Sequence, residues 1–275
     1  MNTISILEDM SLSELIERSI RIVQENVPKD AVYHGCFSGG KDSVVLKRIV
    51  ELAGVPATWN YNVTGIDPPE LIHFIKKFHP DVNWLFPTVP FFKKLVDKGF
   101  PDRRGRWCCD LYKEKGNPVG AYLLLGIRAE ESPKRAETGA EVRMHHKTGK
   151  PAVSPIFWWG SDDVWSFIRS ELLPYCSLYD EGFHRLGCIG CPVASKQSRL
   201  REFARWPRYE KLWKNAFRKR WERMAFTIQS NGLKWFGTDT FDSWEEMWQW
   251  WLNDELLPAR RTGRSIAENT IAIPS

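Results

Sequence analysis

Between Cys36 and Ser43 the chain reads Cys-Phe-Ser-Gly-Gly-Lys-Asp-Ser, a set of residue types suited to holding an anion. The adjacent glycines let the backbone turn tightly and approach a ligand with no Cβ in the way. Where a helix starts at such a turn, its first amides point outward with partial positive charge. Lys41 adds a full charge and Ser38 and Ser43 add hydroxyl donors, so a phosphate-bearing ligand is the natural occupant. The spacing fits neither the nucleoside-triphosphatase P-loop nor the G-x-G-x-x-G of dinucleotide sites. The plain alternative is an ordinary glycine-rich turn between a strand and a helix.

Thiols form the second chemical set. Cys108 and Cys109 are adjacent, and Cys188-Ile189-Gly190-Cys191-Pro192 supplies a C-x-x-C. That spacing lets two thiolates reach one metal, while the glycine and proline free backbone amides to donate to sulfur. Together the four thiols are enough for a closed site, either zinc or a four-iron four-sulfur cluster. Adjacent cysteines reach a single small ion with difficulty, which favours the larger cluster. Cys36 reads as a small buried strand residue and Cys176 as a structural loop thiol. His184 reads as a surface residue beside the C-x-x-C, and His145 and His146 as solvated.

The elements around these residues alternate. Ser11 to Val27 is predicted as an amphipathic helix, with Ser11 and Glu14 in capping-box spacing. Ala31 to Phe37 reads as a strand, and Ser43 to Leu52 has helical apolar spacing. Ala57 to Tyr61 and Asn83 to Phe86 follow as strands, with helices over Pro69 to Phe78 and Pro90 to Val96. Tyr122 to Ile127 is an apolar run of strand length, Arg128 to Lys150 is predicted as a long loop, and Ala152 to Phe157 resumes the strand pattern. Asp162 to Leu172 is predicted as a helix capped by Ser161. The alternation implies an α/β fold with a doubly wound, mostly parallel sheet over residues 1–195.

Two further segments sit where such a sheet places ligand-facing loops. Thr64-Gly65-Ile66-Asp67-Pro68-Pro69-Glu70 follows the second strand, and as a plain alternative it is a turn before a helix that starts at the prolines. Gly126-Ile127-Arg128 ends an apolar strand and delivers a guanidinium to the sheet edge, where a bidentate contact to phosphate or sulfate is sensible. Its plain alternative is a solvated charge cluster running on to Arg135.

Ser38 to Ser43 resembles the pyrophosphate-binding loop of the adenine nucleotide α-hydrolase superfamily, in particular its phosphoadenylylsulfate (PAPS) reductase-like branch. Thr64, Gly65 and Glu70 resemble that branch's T-G-x-x-x-P-E element, except that Val63 stands where an aspartate usually precedes the threonine; Asp67 is the nearby candidate to replace it. Gly126, Arg128 and Arg135 resemble its G-x-R segment with a downstream arginine. The pattern of Cys108, Cys109, Cys188 and Cys191 is similar to the cluster motif of adenylylsulfate reductases and related sulfur-transfer ATPases.

The resemblance implies an enzyme that binds ATP, or PAPS or adenylylsulfate (APS), on Ser38, Gly39, Gly40, Lys41, Asp42 and Ser43, with Lys41, Asp42 and Arg128 at the reaction and Mg2+ bridging the phosphates. It implies a four-iron four-sulfur cluster on the four cysteines, with zinc as the alternative. Sulfonucleotide reductases attack with a cysteine in a C-terminal segment, and no cysteine follows Cys191 in this sequence. The expectation is therefore adenylylation with pyrophosphate release and sulfur transfer, with sulfonucleotide reduction as the alternative and a non-catalytic nucleotide-binding subunit as a third reading.

With 43% hydrophobic and 27% charged residues in 275, the composition is that of a core-forming protein. No apolar run approaches a membrane span, no signal-like segment opens the sequence, and six cysteines without one argue for reduced thiols, so the expected location is cytoplasmic. Net charge is only +5, but residues 199–223 carry ten basic residues against three acidic ones. Eight of the fourteen tryptophans lie from Trp206 onward. Residues 196–275 thus read as a helical, basic, Trp-rich extension. One reading gives it a nucleic-acid partner through residues 199–223, by phosphate neutralisation and stacking; the other gives it a packed core, supported by the shared helix face of Trp213, Phe217 and Trp221. A sulfur-donor or electron-donor protein is the further expected partner. Arg260 to Ser275 is expected to be poorly ordered.

Overall fold

The computed structural model describes residues 10–27, 31–103, 105–114, 118, 120–145, 148–231 and 241–255. His146 and the Arg260 to Ser275 segment lie outside them. The chain divides into two compact units, one within Met1–Thr88 and Trp107–Cys188, the other within Val89–Arg106 and Ile189–Ser275. This division differs from a break near residue 195: the segment around Pro90 joins the second unit, and the boundary falls inside the C-x-x-C.

The first unit is built on a six-stranded sheet in the order β3-β2-β1-β4-β6-β5. The strands are β1 (Tyr33–Cys36), β2 (Ala57–Asn62), β3 (Asn83–Leu85), β4 (Leu123–Leu125), β5 (Val142–Met144) and β6 (Pro151–Val153). All neighbours run parallel except β5 and β6. Winding reverses between β1 and β4, which brings the loops leaving these two strands side by side at the carboxyl edge of the sheet. In β1, Gly35 makes room for its neighbour, since a Cβ there would overlap the Trp59 ring of β2.

Helix α1 (Leu12–Glu25) starts at Ser11, whose side chain accepts from the Glu14 amide while the Glu14 carboxylate returns to the Ser11 amide at 2.7 Å. It packs on α2 (Lys41–Leu52), and α6 (Ser161–Ser170) covers α2 from another side. Most of α2 is consequently buried, including Val44, Val45, Leu46, Ile49 and Val50. α3 (Pro69–Phe78) begins at the second proline of its Pro-Pro pair, as expected of a residue whose missing N–H costs nothing there.

Three expectations are corrected. Arg128 to Lys150 is not one long loop: it holds a short turn at Ala129–Glu131, α5 (Pro133–Thr138) and β5. Ser132 caps α5 and Pro133 opens it, while every residue of β5 is exposed, so this edge strand lacks the apolar alternation that marks a strand in sequence. The strand expected to reach Phe157 ends at Val153, and residues 155–158 turn. Gly160, not Ser161, caps α6, because the Asp163 carboxylate reaches back to the Gly160 amide at 2.7 Å.

The second unit is helical: α4 (Phe91–Lys98), α7 (Lys196–Arg205), α8 (Pro207–Asn231) and α9 (Trp244–Asn253). Trp213, Phe217 and Trp221 share a buried face of α8, as their spacing predicts, and Trp248 and Trp251 of α9 are buried with them. Trp213 stacks on Trp251 with centroids 4.6 Å apart, and Phe217 stacks on Phe100. Arg199 is fully buried, donating to the carbonyls of Trp251 and Leu252 and pairing with Asp254 at 2.7 Å. Among the described residues, no helix is long and apolar enough to cross a membrane.

Candidate anion site at the β1–α2 turn

Ser38 to Ser43 leaves the end of β1 and becomes the first turn of α2, with Gly40 as the helix cap. Gly39 has φ +74°, the left-handed region that favours glycine, and a Cβ there would stand 2.7 Å from the methyls of Leu71 and Ile75. Inside the turn, Ser43 Oγ donates to the Gly40 carbonyl at 2.8 Å, the Gly40 amide donates to Ser38 Oγ at 3.3 Å, and the two serine hydroxyls lie 3.3 Å apart. Both predicted hydroxyl donors thus share one side of the turn.

The three residues expected at the reaction are brought together, but in a different arrangement. Lys41 Nζ lies 3.1 Å from Asp42 Oδ2, and Arg128 Nε donates to Asp42 Oδ1 at 2.6 Å. Arg128 also pairs with Glu130 and donates to the Trp159 carbonyl at 3.1 Å. Lys41 and Arg128 are only 7% and 4% exposed, and cations so far from water are held in place by carboxylates. The Arg128 guanidinium therefore braces the loop rather than standing open as a bidentate clamp. Arg135 pairs with Glu131, whose carboxylate also accepts from the Arg128 amide.

Gly126 lies against this loop. A Cβ on it would stand 2.9 Å from the Asp42 carbonyl oxygen and 3.2 Å from the Ser43 amide. In the loop after β2, Gly65 takes φ +81°, and the Thr64 amide and hydroxyl donate to Asp67 Oδ2 at 3.1 and 2.7 Å. Asp67 is buried and bound within its own turn, and Glu70 lies in the first turn of α3. Cys188 Sγ is 3.7 Å from Thr64 Oγ1 and 3.9 Å from Asp67 Oδ1, which places the first thiol of the C-x-x-C on this turn.

Three contacts escaped sequence reasoning. The Lys41 amide donates to the Tyr179 hydroxyl at 2.9 Å, across 138 positions of sequence, and nothing local to Tyr179 signals it. In the second unit, Glu202 accepts from the Gly190 amide at 2.7 Å and Trp213 Nε1 donates to the Ile189 carbonyl at 3.1 Å, so α7 and α8 hold the interior of the C-x-x-C. Burial raises the Glu202 carboxyl to about 7, against the opposing pull of the Gly190 amide and Arg199. A group whose folded value is raised contributes stability that is complete at low pH and lost as pH rises through that value. Glu202→Gln is expected to flatten this loss and to be more stable than wild type at pH 8 by on the order of 2 kcal/mol. Denaturant midpoints at pH 5.5 and pH 8 check it, and parallel pH dependences in the two proteins would refute it.

The cysteines give a mixed result. Cys108, Cys109 and Cys188 belong to the first unit and Cys191 to the second. Cys176 is buried, and burial raises the Cys36 thiol to about 12, which makes both poor thiolates. Among the described residues, no three His, Cys, Asp or Glu side chains are grouped to hold a metal ion. The donor chemistry of four thiols suits a cluster. His184 is exposed, as expected.

The sheet order, the glycine turn at the end of β1 and the arginine after β4 define an α/β domain with a mostly parallel sheet. Residues 33–194 match the phosphoadenosine phosphosulfate reductase domain, and the chain belongs to that family. It is similar to an uncharacterized protein of Methanocaldococcus jannaschii, 28% identical over 94% of this chain and 61% of that protein, so the chain spans about three fifths of that relative. It is 31% identical to an adenosine 5'-phosphosulfate reductase of Staphylococcus haemolyticus, over 66% of this chain and 79% of that enzyme. A crystal structure of PAPS reductase from Candida auris in a phosphate complex aligns with a TM-score of 0.48 at 14% identity, covering 66% of this chain and 96% of that one.

Proposed function

We propose that the chain binds an adenine nucleotide with its phosphates on Ser38 to Ser43 and uses magnesium-bound ATP to adenylylate an acceptor, as the activating step of a sulfur transfer. The observation that carries this reading is the charge balance of the loop. Lys41 and Arg128 are each paired with a carboxylate, Asp42 and Glu130 completing the row, so the built site has little net positive charge of its own. A polyanion that arrives with a dication suits such a site better than one that depends on protein cations.

In this reading the Ser38 and Ser43 hydroxyls exchange their contacts with one another and with the Gly40 carbonyl for contacts to the β and γ phosphates, and Lys41, steadied by Asp42, faces the charge that builds on the leaving pyrophosphate. An acceptor oxygen bonds to the α-phosphorus, the bond to the β-phosphate oxygen breaks, and pyrophosphate departs. A sulfur nucleophile from a donor protein then displaces AMP from the activated acceptor. Magnesium, arriving with the nucleotide, would supply charge neutralisation. Cys108, Cys109, Cys188 and Cys191 remain candidate ligands for an iron–sulfur cluster or zinc, and no step above is routed through them.

Exposed Arg201, Arg205, Arg208, Lys211, Arg218, Lys219 and Arg223 support an acidic acceptor such as a nucleic acid. The burial of Trp206, Trp213, Trp221, Trp248 and Trp251 takes these rings out of base stacking and favours phosphate neutralisation, while half-buried Trp244 and Trp250 keep part of their surface open. The likeness to an adenosine 5'-phosphosulfate reductase supports a second reading, reduction of a sulfonucleotide. Incubation with magnesium and ATP, or with APS and a thiol reductant, separates the two: AMP and pyrophosphate from ATP support the first, and sulfite from APS replaces it.

A further inference from the structure

The mouth of the loop carries a hydroxyl from elsewhere in the first unit. Tyr179 ends the short turn Ser177–Tyr179, which is anchored by the buried side chains of Cys176 and Leu178. Its ring stands edge-on to Trp165 of α6, centroids 5.1 Å apart, and makes a wider edge contact with Tyr175 at 6.5 Å. This packing aims the phenol at α2. Its oxygen accepts the Lys41 amide at 2.9 Å and lies 3.5 Å from where a Cβ on Gly40 would stand.

A phenol has one proton. With its oxygen accepting from the helix terminus, that proton is left to donate, beside the backbone of Gly40 and Lys41. We propose that Tyr179 is a phosphate-binding residue of this loop, its hydroxyl linking the Lys41 amide to an oxygen of the pyrophosphate end of the nucleotide. The inference rests on the reading that phosphate occupies Ser38 to Ser43. Burial, with Asp42 nearby, raises the phenol and keeps it a donor at neutral pH despite the opposing Lys41 amide. The link extends the positive end of α2 by one hydrogen bond and does so without adding charge, in keeping with the balanced loop.

Calorimetric titration of the full chain with inorganic pyrophosphate and magnesium tests it. Tyr179→Phe is expected to weaken binding roughly tenfold, the loss of one hydrogen bond to a charged group. Equal or tighter binding by Tyr179→Phe, with wild type binding normally, overturns the role of Tyr179 and leaves the loop assignment standing. Failure of wild type to bind either pyrophosphate or ATP overturns both. If Tyr179→Phe loses its cooperative melt, 3-fluorotyrosine at position 179 gives the same answer, since its fluorine resonance is expected to move on saturation with pyrophosphate and a stationary resonance overturns the proposal.

Discussion

Gly126→Ala is expected to reduce affinity for ATP and pyrophosphate by at least about tenfold while leaving most of the fold intact. The added methyl would stand 2.9 Å from the Asp42 carbonyl oxygen, 3.1 Å from its carbon and 3.2 Å from the Ser43 amide. All three are main-chain atoms at the start of α2, so no side-chain rotation relieves the overlap and the turn itself must shift. Overpacking of this kind costs about 1–3 kcal/mol. The larger effect falls on function, because displacement of binding groups by about an ångström can cost on the order of a hundredfold. Gly187→Ala is the control, as a Cβ there meets nothing within 4 Å. Affinities by calorimetry decide it, and a Gly126→Ala protein that binds like wild type would remove the close approach of β4 from the explanation of the site.

Arg128→Met is expected to destabilise the first unit by about 2 kcal/mol, the cost of taking from part-buried Asp42 one of its two cations and leaving Lys41 alone beside it. The side chain of Arg128 is 5% exposed and that of Asp42 is 19% exposed, whereas Glu130, at 54%, is screened by water and contributes little. The loss therefore centres on Asp42. Asp42→Asn combined with Arg128→Met is expected to cost less than the two single substitutions added together, a coupling of about 1 kcal/mol in a double-mutant cycle, with the rest of the loss left on Lys41, which then lacks its carboxylate. Strictly additive unfolding free energies would show that the two residues are neighbours without being partners.

Much of this frame is legible in the sequence because it rests on local rules. The Ser11–Glu14 capping box, the Pro-Pro entry to α3 and the glycine turn after β1 each carry their own signal within a few residues. The shared face of Trp213, Phe217 and Trp221 follows from helical spacing alone. Arg128 was legible as a residue of the site but not in its role, since Asp42, the carboxylate that engages it from 86 positions away, is brought there by the sheet order, and only Glu130 lies near it in the chain. Tyr179 and Glu202 are further cases: each meets a main-chain amide, of Lys41 and of Gly190, and such a contact leaves no trace in residue type. The edge strand β5 stayed hidden because its residues are exposed and carry no alternation.

The central claim is that Ser38 to Ser43 holds the pyrophosphate end of a magnesium-bound adenine nucleotide that is cleaved between its α and β phosphates. The most direct test is quantification of AMP and pyrophosphate formed from ATP by the wild-type chain, with candidate nucleic-acid acceptor and sulfur donor present, with magnesium and with EDTA. The expected result is equimolar AMP and pyrophosphate in the magnesium arm and neither with EDTA. Phosphate and ADP in place of them, or no nucleotide cleavage in either arm, would contradict it.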